Sequence, residues 1–258
     1  MSKSRNKPVW IEIHQLDWIP SFLKERQLEG IFPILKAIRF DQKLLFLFNR
    51  LRDKTQALEF VDLGSGGGNV VEFISQRVNG ELRFIMSDIS PKLELYQKIK
   101  QRNRGRINFV PYSVDLCEAD GILNGRAVTI ITTFHELDRP RARNFMKSLA
   151  KWSRGFLIAE PINISFKQIL RMPLLFFYFW LAPFYARPFR VSCFFFTWVW
   201  PILPFFHLHD GLVSLARSYR KNEFEQMLKK YAGPDWEWET GNLDSSLTYV
   251  LAWRKSES

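Results

Sequence analysis

Short apolar runs alternate with helix-compatible stretches through the middle of the chain, and this alternation constrains the fold more than any other feature. Runs rich in β-branched or aromatic residues predict buried strands at residues 59–63, 82–87, 107–112, 127–132 and 155–160. Helices are predicted between them at residues 69–77, 91–102 and 139–152, with a weaker one at 118–123. This order predicts right-handed crossovers and an α/β fold, in which helices cover both faces of a parallel sheet.

The two ends of the chain extend this core. A further helix is predicted at residues 221–231, followed by a closing pair of strands at 236–240 and 247–254. We divide the chain into a helical N-terminal cap, a Rossmann-like core, a hydrophobic insert and a C-terminal helix with a strand pair, at residues 1–54, 55–160, 161–219 and 220–258.

A glycine-rich turn joins the first predicted strand to the helix after it. Gly64, Gly66 and Gly68 stand at alternate positions, and glycine both tolerates positive φ and lets a ligand approach the backbone. The dinucleotide fingerprint requires glycine or alanine at the next position, where this chain has Asn69. The turn therefore predicts a nucleotide-like cofactor other than a nicotinamide or a flavin.

Two carboxylates accompany this turn. Asp62 precedes the glycines, and Asp88 directly follows the second predicted strand, 20 residues after Gly68. A carboxylate at the position of Asp88, after the second strand, is the usual acceptor for ribose hydroxyls in folds of this kind. The pair predicts a cofactor that contains an adenosine ribose.

Four segments resemble motifs of the class I S-adenosylmethionine-dependent methyltransferases. Residues 62–68 are similar to the first motif, 88–89 to the second, 114–116 to the acidic motif near adenine, and 132–137 to the segment beside the methionine moiety and the acceptor. The resemblance implies a seven-stranded sheet whose final strand is antiparallel, and S-adenosyl-L-methionine as cofactor. It implies cofactor contacts at Asp62, Gly64, Ser65, Gly66, Gly68, Asp88, Ile89, Asp115, Leu116, Thr133 and Phe134.

Outside these motifs the chain resembles a bacterial branch of the same family that carries a hydrophobic insert. The similar segments are residues 17–20 and the stretch from 187–190 to 209–214. No acceptor carries over from this branch.

His135 is the leading candidate for a catalytic base, with Glu136 beside it. Methyl transfer to a hydroxyl needs an aligned acceptor and a group that takes its proton, and an imidazole with a pKa near ~6.5 does this at neutral pH. His135 follows the fourth predicted strand, at the strand end where ligands of open α/β sheets bind. In the alternative interpretation, His135 holds the loop and Glu136 bonds to the backbone.

The insert has an unusual composition. Residues 172–206 contain 15 aromatic side chains and no acid. The apolar halves, 172–186 and 191–206, are shorter than the ~20 residues that a spanning helix needs, and prolines 173, 183, 201 and 204 interrupt them. We expect a re-entrant or surface-lying lid over the acceptor; in the alternative, the aromatics form a second core.

Charge and composition indicate where the protein acts. The formal net charge is +11, and the chain contains two cysteines. Few cysteines indicate a cytoplasmic protein, and the positive charge suits either nucleic acid or an anionic membrane. We expect peripheral contact with the inner face of a membrane through Arg187 and Arg190. Nucleic acid is disfavoured, because the aromatics form an acid-free apolar block.

A polar cluster follows the insert. His207, His209 and Asp210 lie close together in the sequence, shortly before Arg217 and Tyr219. Three potential ligands within four residues converge poorly on one ion, so we predict no metal site. We assign these five residues to substrate binding; in the alternative, His207, His209 and Asp210 form an anchoring hydrogen-bond network.

The predicted function is S-adenosylmethionine-dependent O-methylation of a lipophilic small molecule, with contact at a membrane surface. The alternatives are C- or N-methylation of a quinone precursor or lipid, methylation of nucleic acid, and non-catalytic binding of the cofactor. The sequence does not predict an oligomeric state.

Overall fold

The computed structural model describes residues 11–161, 166–185, 189–244 and 247–255. The chain divides into two compact units. The helical unit comprises the described residues of Met1–Phe40 and Ile162–Ser218, and the sheet unit those of Asp41–Pro161 and Tyr219–Ser258. The predictions for residues 1–10 and for Arg187 lie outside the described residues.

Seven strands form one sheet in the sheet unit. They are β1 (Glu59–Leu63), β2 (Arg83–Ser87), β3 (Ile107–Phe109), β4 (Ala127–Ile131), β5 (Gly155–Glu160), β6 (Trp236–Leu243) and β7 (Leu247–Arg254). Their order is β3-β2-β1-β4-β5-β7-β6. Strands β1 to β5 run parallel, and β7 pairs antiparallel with both β5 and β6. The predicted α/β sheet with an antiparallel final strand is confirmed.

Helices cover both faces of this sheet. They are α2 (Phe40–Thr55), α3 (Asn69–Ser75), α4 (Leu93–Arg102), α5 (Asp120–Leu123), α6 (Arg139–Trp152) and α10 (Lys221–Tyr231). Successive residues of β1 point to opposite faces. Phe60 accordingly packs against Phe48 of α2, with ring centroids 4.6 Å apart, whereas Val61 joins a core cluster with Phe145 of α6 and Phe224 of α10.

Strands β3 and β6 differ from their predicted bounds by three residues, and β2 and β4 by one residue each. The prediction for β3 ran to residue 112, but the strand ends at Phe109. Val110 still donates its backbone N–H to the Met86 carbonyl at 2.9 Å, and Pro111, which has no N–H, cannot continue the ladder. Strand β6 is longer than predicted, because its register with β7 continues to Leu243 opposite Leu247.

The helical unit contains α1 (Ser21–Ala37), α7 (Phe166–Tyr185), α8 (Val191–Phe194) with a π-helix at Phe195–Val199, and α9 (Ile202–Arg217). Helix α7 runs through Pro173 and Pro183, which were expected to interrupt it. Among the described residues, no single helix has the length and apolarity to cross a membrane. In the part of the chain that the structure describes, one pair of helices, Val191–Val199 and Ile202–Arg217, reaches those limits together, with a bend of 83° between them.

Candidate functional site

The glycine turn lies at the carboxyl end of β1, and all three of its alternating glycines have positive φ. The φ angles of Gly64, Gly66 and Gly68 are 76°, 54° and 73°. A Cβ on Gly64 would lie 2.5 Å from Thr133 Cγ2, and a Cβ on Gly68 would lie 2.7 Å from Met86 Sδ. A Cβ on Gly66 would meet no atom within 4 Å. The turn is therefore packed at both ends and open at its middle.

Asp62 fixes this turn through hydrogen bonds to its carboxylate. Its carboxylate accepts hydrogen bonds from Thr129 Oγ1 at 2.6 Å and from Ser65 Oγ at 2.7 Å. Burial raises the pKa of Asp62 to about 6, and the nearby charge of Asp88 acts in the same direction. Both carboxylates thus lie at one edge of the sheet, but Asp62 is buried and acts on the turn itself.

Asp88 follows β2 and bonds to two loops. Its Oδ2 accepts from the Gly66 N–H and its Oδ1 from the Ser90 N–H, both at 2.8 Å. The next side chain, Ile89, is exposed and offers apolar surface at the same edge. Tyr96 of α4 donates its hydroxyl proton to the Gly66 carbonyl at 3.0 Å. These contacts fix the open middle of the turn beside the Asp88 carboxylate.

Asp115 is paired with Arg141. The Arg141 Nη2 lies 2.6 and 2.7 Å from the two carboxylate oxygens, and Asp115 Oδ1 also accepts from the Cys117 N–H at 3.0 Å. The segment is tied to the Asp88 strand end, because the Val114 N–H donates to the Asp88 carbonyl at 2.9 Å. Leu116, the other residue predicted to contact the cofactor here, is buried.

A strained residue leads from β4 into the next part of the site. Thr132 has a φ of 58°, a left-handed conformation that β-branched residues rarely adopt. Its N–H donates to the Ala159 carbonyl at 2.9 Å. The following residue, Thr133, packs against Gly64. Strain of this kind clusters at functional sites, where the surrounding structure maintains it.

His135 and Glu160 form a buried pair. The His135 Nδ1 lies 2.8 Å from Glu160 Oε2, and Glu160 Oε1 accepts from the Phe134 N–H at 2.7 Å and the His135 N–H at 3.3 Å. Glu160 ends β5, next to β4 in the sheet. One carboxylate thus orients both the ring and the backbone of the predicted base. A ring that donates its Nδ1 proton to this carboxylate carries its lone pair on Nε2.

Phe134 and Tyr219 lie in the core of the sheet unit. Phe134 is fully buried and packs against Tyr219 at 5.0 Å and Phe224 at 5.1 Å between ring centroids. The Tyr219 hydroxyl donates to the Leu137 carbonyl at 2.8 Å. Burial raises the pKa of Tyr219 to about 12. The structure therefore places both side chains in packing positions, and Glu136 in a half-buried one.

The other predicted substrate residues lie on α9 in the helical unit. Asp210 accepts from the Ile13 N–H at 2.6 Å and from Gln27 Nε2 at 2.7 Å, and it pairs with His209 at 3.0 Å. Arg217 Nη1 donates to Gln15 Oε1 at 3.3 Å. These contacts tie α9 to Ile13, Gln15 and Gln27 of the same unit.

His207 is buried in the same unit. Its ring stacks on Phe179 of α7 with centroids 3.9 Å apart, and its edge lies against Gly30 of α1. Burial lowers the pKa of His207 to about 3. Its Nδ1 has no hydrogen-bond partner among the residues that the structure describes.

Sequence reasoning missed Glu160, Tyr96 and Arg141. Glu160 carries a recognisable signal, because an acid that ends a buried strand is the feature that identified Asp88. Tyr96 and Arg141 lie on helices and have no such signal in the sequence.

Comparisons with known proteins identify the fold. The sequence matches no protein-family model and no curated protein. Among solved structures, the chain is similar to an O-methyltransferase family protein from Burkholderia thailandensis, with a TM-score of 0.54, 15% identity and coverage of 86% of this chain and 58% of that one. It is also similar to a candidate O-methyltransferase from Nostoc punctiforme PCC 73102, with a TM-score of 0.57, 14% identity and coverage of 96% and 64%.

A third similar structure is the small RNA methyltransferase HEN1, with a TM-score of 0.53, 16% identity and coverage of 82% of this chain and 25% of that one. The chain thus spans less than two thirds of each of these three proteins. Together with the strand order, the likeness shows the architecture: the chain has the seven-stranded, Rossmann-like α/β fold of these methyltransferase structures.

Proposed function

We propose that the protein transfers a methyl group from S-adenosyl-L-methionine to a lipophilic small molecule. The observation that carries this proposal is the edge formed by the carboxyl ends of β1, β2, β4 and β5. The open turn at Gly66, the Asp88 carboxylate and the His135–Glu160 pair all belong to it. Ligands of open α/β sheets bind at this edge.

The residues at this edge fit the cofactor. A ligand can approach the backbone at Gly66, where even a Cβ would meet no protein atom. Asp88 is half-buried and would accept the ribose hydroxyls, while exposed Ile89 would contact the adenine from its apolar side. Asp115, aligned by Arg141, and the backbone of Leu116 would contact the adenine edge. Ser65, Thr133 and the backbone of Phe134 would line the remainder.

Bound S-adenosylmethionine supplies an electrophilic methyl group on a positively charged sulfur. The chain itself supplies a proton acceptor for a hydroxyl group. Glu160 holds the Nδ1 proton of His135 and thereby keeps the lone pair on Nε2, which takes the proton of the acceptor hydroxyl. This arrangement favours O-methylation over C- or N-methylation, because an oxygen acceptor needs a base of this kind. Glu136 is the alternative base.

The composition of the helical unit supports a lipophilic acceptor. Large apolar side chains remain exposed along α7, among them Leu174 and Phe177. A protein with such a surface meets its acceptor where apolar compounds concentrate. We place it in the cytoplasm, with peripheral contact at the inner face of a membrane. The predicted role of residues 161–219 as a lid stays a prediction, as does substrate binding by His207, His209, Asp210, Arg217 and Tyr219.

Calorimetry with S-adenosylmethionine tests cofactor binding. Asp88→Ala should weaken binding by about 1.5 to 3 kcal/mol, because the ribose hydroxyls lose a charged acceptor. Glu81→Ala is the matched control, since Glu81 is exposed at the opposite end of β2. Equal affinity in Asp88→Ala and the parent, or tight binding of NADH by the parent, would contradict the cofactor assignment.

Turnover tests the reaction. When the protein is incubated with a lipid extract and S-adenosylmethionine labelled in the methyl group, label should appear in a component of the extract. Transfer to RNA instead would favour a nucleic-acid methyltransferase, and cofactor binding without any transfer would favour a non-catalytic binding protein. A product that carries the label on carbon or nitrogen would contradict O-methylation.

A further inference from the structure

One surface of the helical unit is exposed, continuous and apolar. Helix α7 carries Leu174, Phe177, Leu181 and Phe184 at spacings of three and four residues, which places them on one side of the helix. The side chains on its other side, such as Phe179, are buried in the unit. Helix α7 therefore has an apolar side that is exposed as well as one that is buried.

Aromatic contacts join this side of α7 to the next helices. The Phe184 ring lies 6.0 Å from that of Phe194 and 6.5 Å from that of Trp198, measured between ring centroids. We use the name aromatic face for the set Leu174, Phe177, Leu181, Phe184, Phe194 and Trp198. Between 37% and 68% of each of these residues is exposed. Contiguous apolar patches of this kind mark interaction sites in proteins that are otherwise monomeric.

The sequence of the segment that carries the aromatic face favours an anionic partner. No acid occurs between Pro161 and His209, whereas the same stretch of sequence contains Lys167, Arg171, Arg187 and Arg190. Arg190 keeps 46% of its side chain exposed, although it lies 3.7 Å from Glu29. A second copy of so basic a segment is a poor partner for it, because like charges repel. A leaflet with anionic lipids attracts it, at roughly 1 kcal/mol for each suitably placed cation.

We infer that the aromatic face is a docking surface for an anionic lipid bilayer, on which the helical unit lies without crossing the membrane. Trp, Phe and Leu side chains suit the boundary between headgroups and acyl chains. This inference names the partner in the membrane contact of the proposed function. It concerns the helical unit alone and is tested without a methyl donor, so its failure and the failure of the proposed function are distinguishable.

Vesicle flotation of the full chain tests the inference. The parent should float with vesicles of phosphatidylcholine mixed with phosphatidylglycerol, and less with phosphatidylcholine alone. High salt should weaken the binding without abolishing it, because screening leaves the apolar contribution intact. The combined variant Leu174→Ser, Phe177→Ser and Leu181→Ser should lose about tenfold or more in vesicle affinity. A parent that ignores the mixed vesicles would overturn the inference.

The control variant is Leu58→Ser with Tyr112→Ser, which removes two equally exposed apolar side chains from the sheet unit. It should float like the parent. Equal binding by the parent and the α7 variant would overturn the inference. So would a parent dimer that the α7 variant dissociates in sedimentation, since a second copy would then occupy the face.

Fluorescence gives a second measurement that does not depend on the α7 substitutions. Vesicles containing brominated lipids should quench part of the tryptophan emission of the parent, and Trp198→Phe should lose part of that quenching. Quenching that is absent in the parent, or unchanged in Trp198→Phe, would contradict insertion of the aromatic face.

Discussion

Glu160 Oε2 lies 2.8 Å from His135 Nδ1, although 25 residues separate the two in the chain. The same carboxylate accepts hydrogen bonds from the backbone N–H groups of Phe134 and His135. Glu160 therefore positions both the His135 ring and the backbone that carries it. This relationship gives the proposed base a defined tautomer. It also makes Glu160 a residue whose replacement distinguishes a catalytic His135 from a purely structural one.

Glu160→Gln should lower turnover by about 10² to 10⁴ while it leaves the affinity for S-adenosylmethionine unchanged. The amide donates toward Nδ1 and so places the imidazole proton on Nε2, where it blocks proton uptake. Single-turnover kinetics and calorimetry measure the two effects separately. His135→Ala should cause a loss of the same size, and Glu136→Gln is the matched control. A loss in Glu136→Gln with full activity in Glu160→Gln would make Glu136 the base.

Two glycines of the turn should respond differently to alanine. Gly66→Ala should cost the fold only about 1 to 2 kcal/mol, from its left-handed backbone, because its Cβ meets no atom. The added methyl group should nevertheless obstruct the cofactor and reduce its affinity. Gly64→Ala adds a clash with Thr133 to the same backbone cost and should destabilise the fold more. Denaturant unfolding and calorimetry on both variants check this, and unchanged cofactor affinity in Gly66→Ala would place the cofactor elsewhere.

Asp62 should make stability fall as the pH rises. Its folded pKa of about 6 is above its ordinary value of 3.8, so the native state binds more protons than the unfolded state between these two values. Stability should drop by up to about 1.4 kcal/mol per pH unit in that window. Asp62→Asn should remove this dependence. Denaturant unfolding from pH 4 to pH 7 is the measurement, with Asp53→Asn as an exposed control; the same slope in Asp62→Asn and the parent would exclude Asp62 as its source.

His207 should make stability fall as the pH falls, which is the reverse of the effect of Asp62. Its folded pKa of about 3 is below its ordinary value of 6.5, so only the unfolded state gains a proton between these values. Stability should therefore decline as the pH falls below 6.5, by up to about 1.4 kcal/mol per pH unit. His207→Gln should flatten this decline. A decline that survives in His207→Gln would show that another group causes it.

The sheet could be predicted from the sequence because buried parallel strands are continuous apolar runs, and β1 and β5 match their predicted bounds. The turn and its carboxylates were accessible for the same reason, since each stands beside a strand end. The partner of His135 was not predicted. It depends on how β4 leaves the sheet through the left-handed Thr132, and no periodic pattern records a single backbone angle.

Helix α7 shows a second limit of sequence reasoning. Pro173 and Pro183 each remove a hydrogen-bond donor, and this led to the expectation of short, broken segments. The helix continues through both, with Phe179 and Ala182 buried against the rest of the unit. Tertiary packing outweighs the local penalty here, as it does for most helices in proteins.

The contact between Asp210 and Gln27 has a consequence for how the protein folds during its synthesis. Gln27 leaves the ribosome 183 residues before Asp210, an interval of roughly 10 to 40 s at ordinary elongation rates. During that time α1 cannot pack against α9, which has not yet been synthesised, although β1 to β5 have already begun to leave the ribosome. The nascent chain therefore exposes an unfinished helix to chaperones and proteases until its last helical partner has been synthesised.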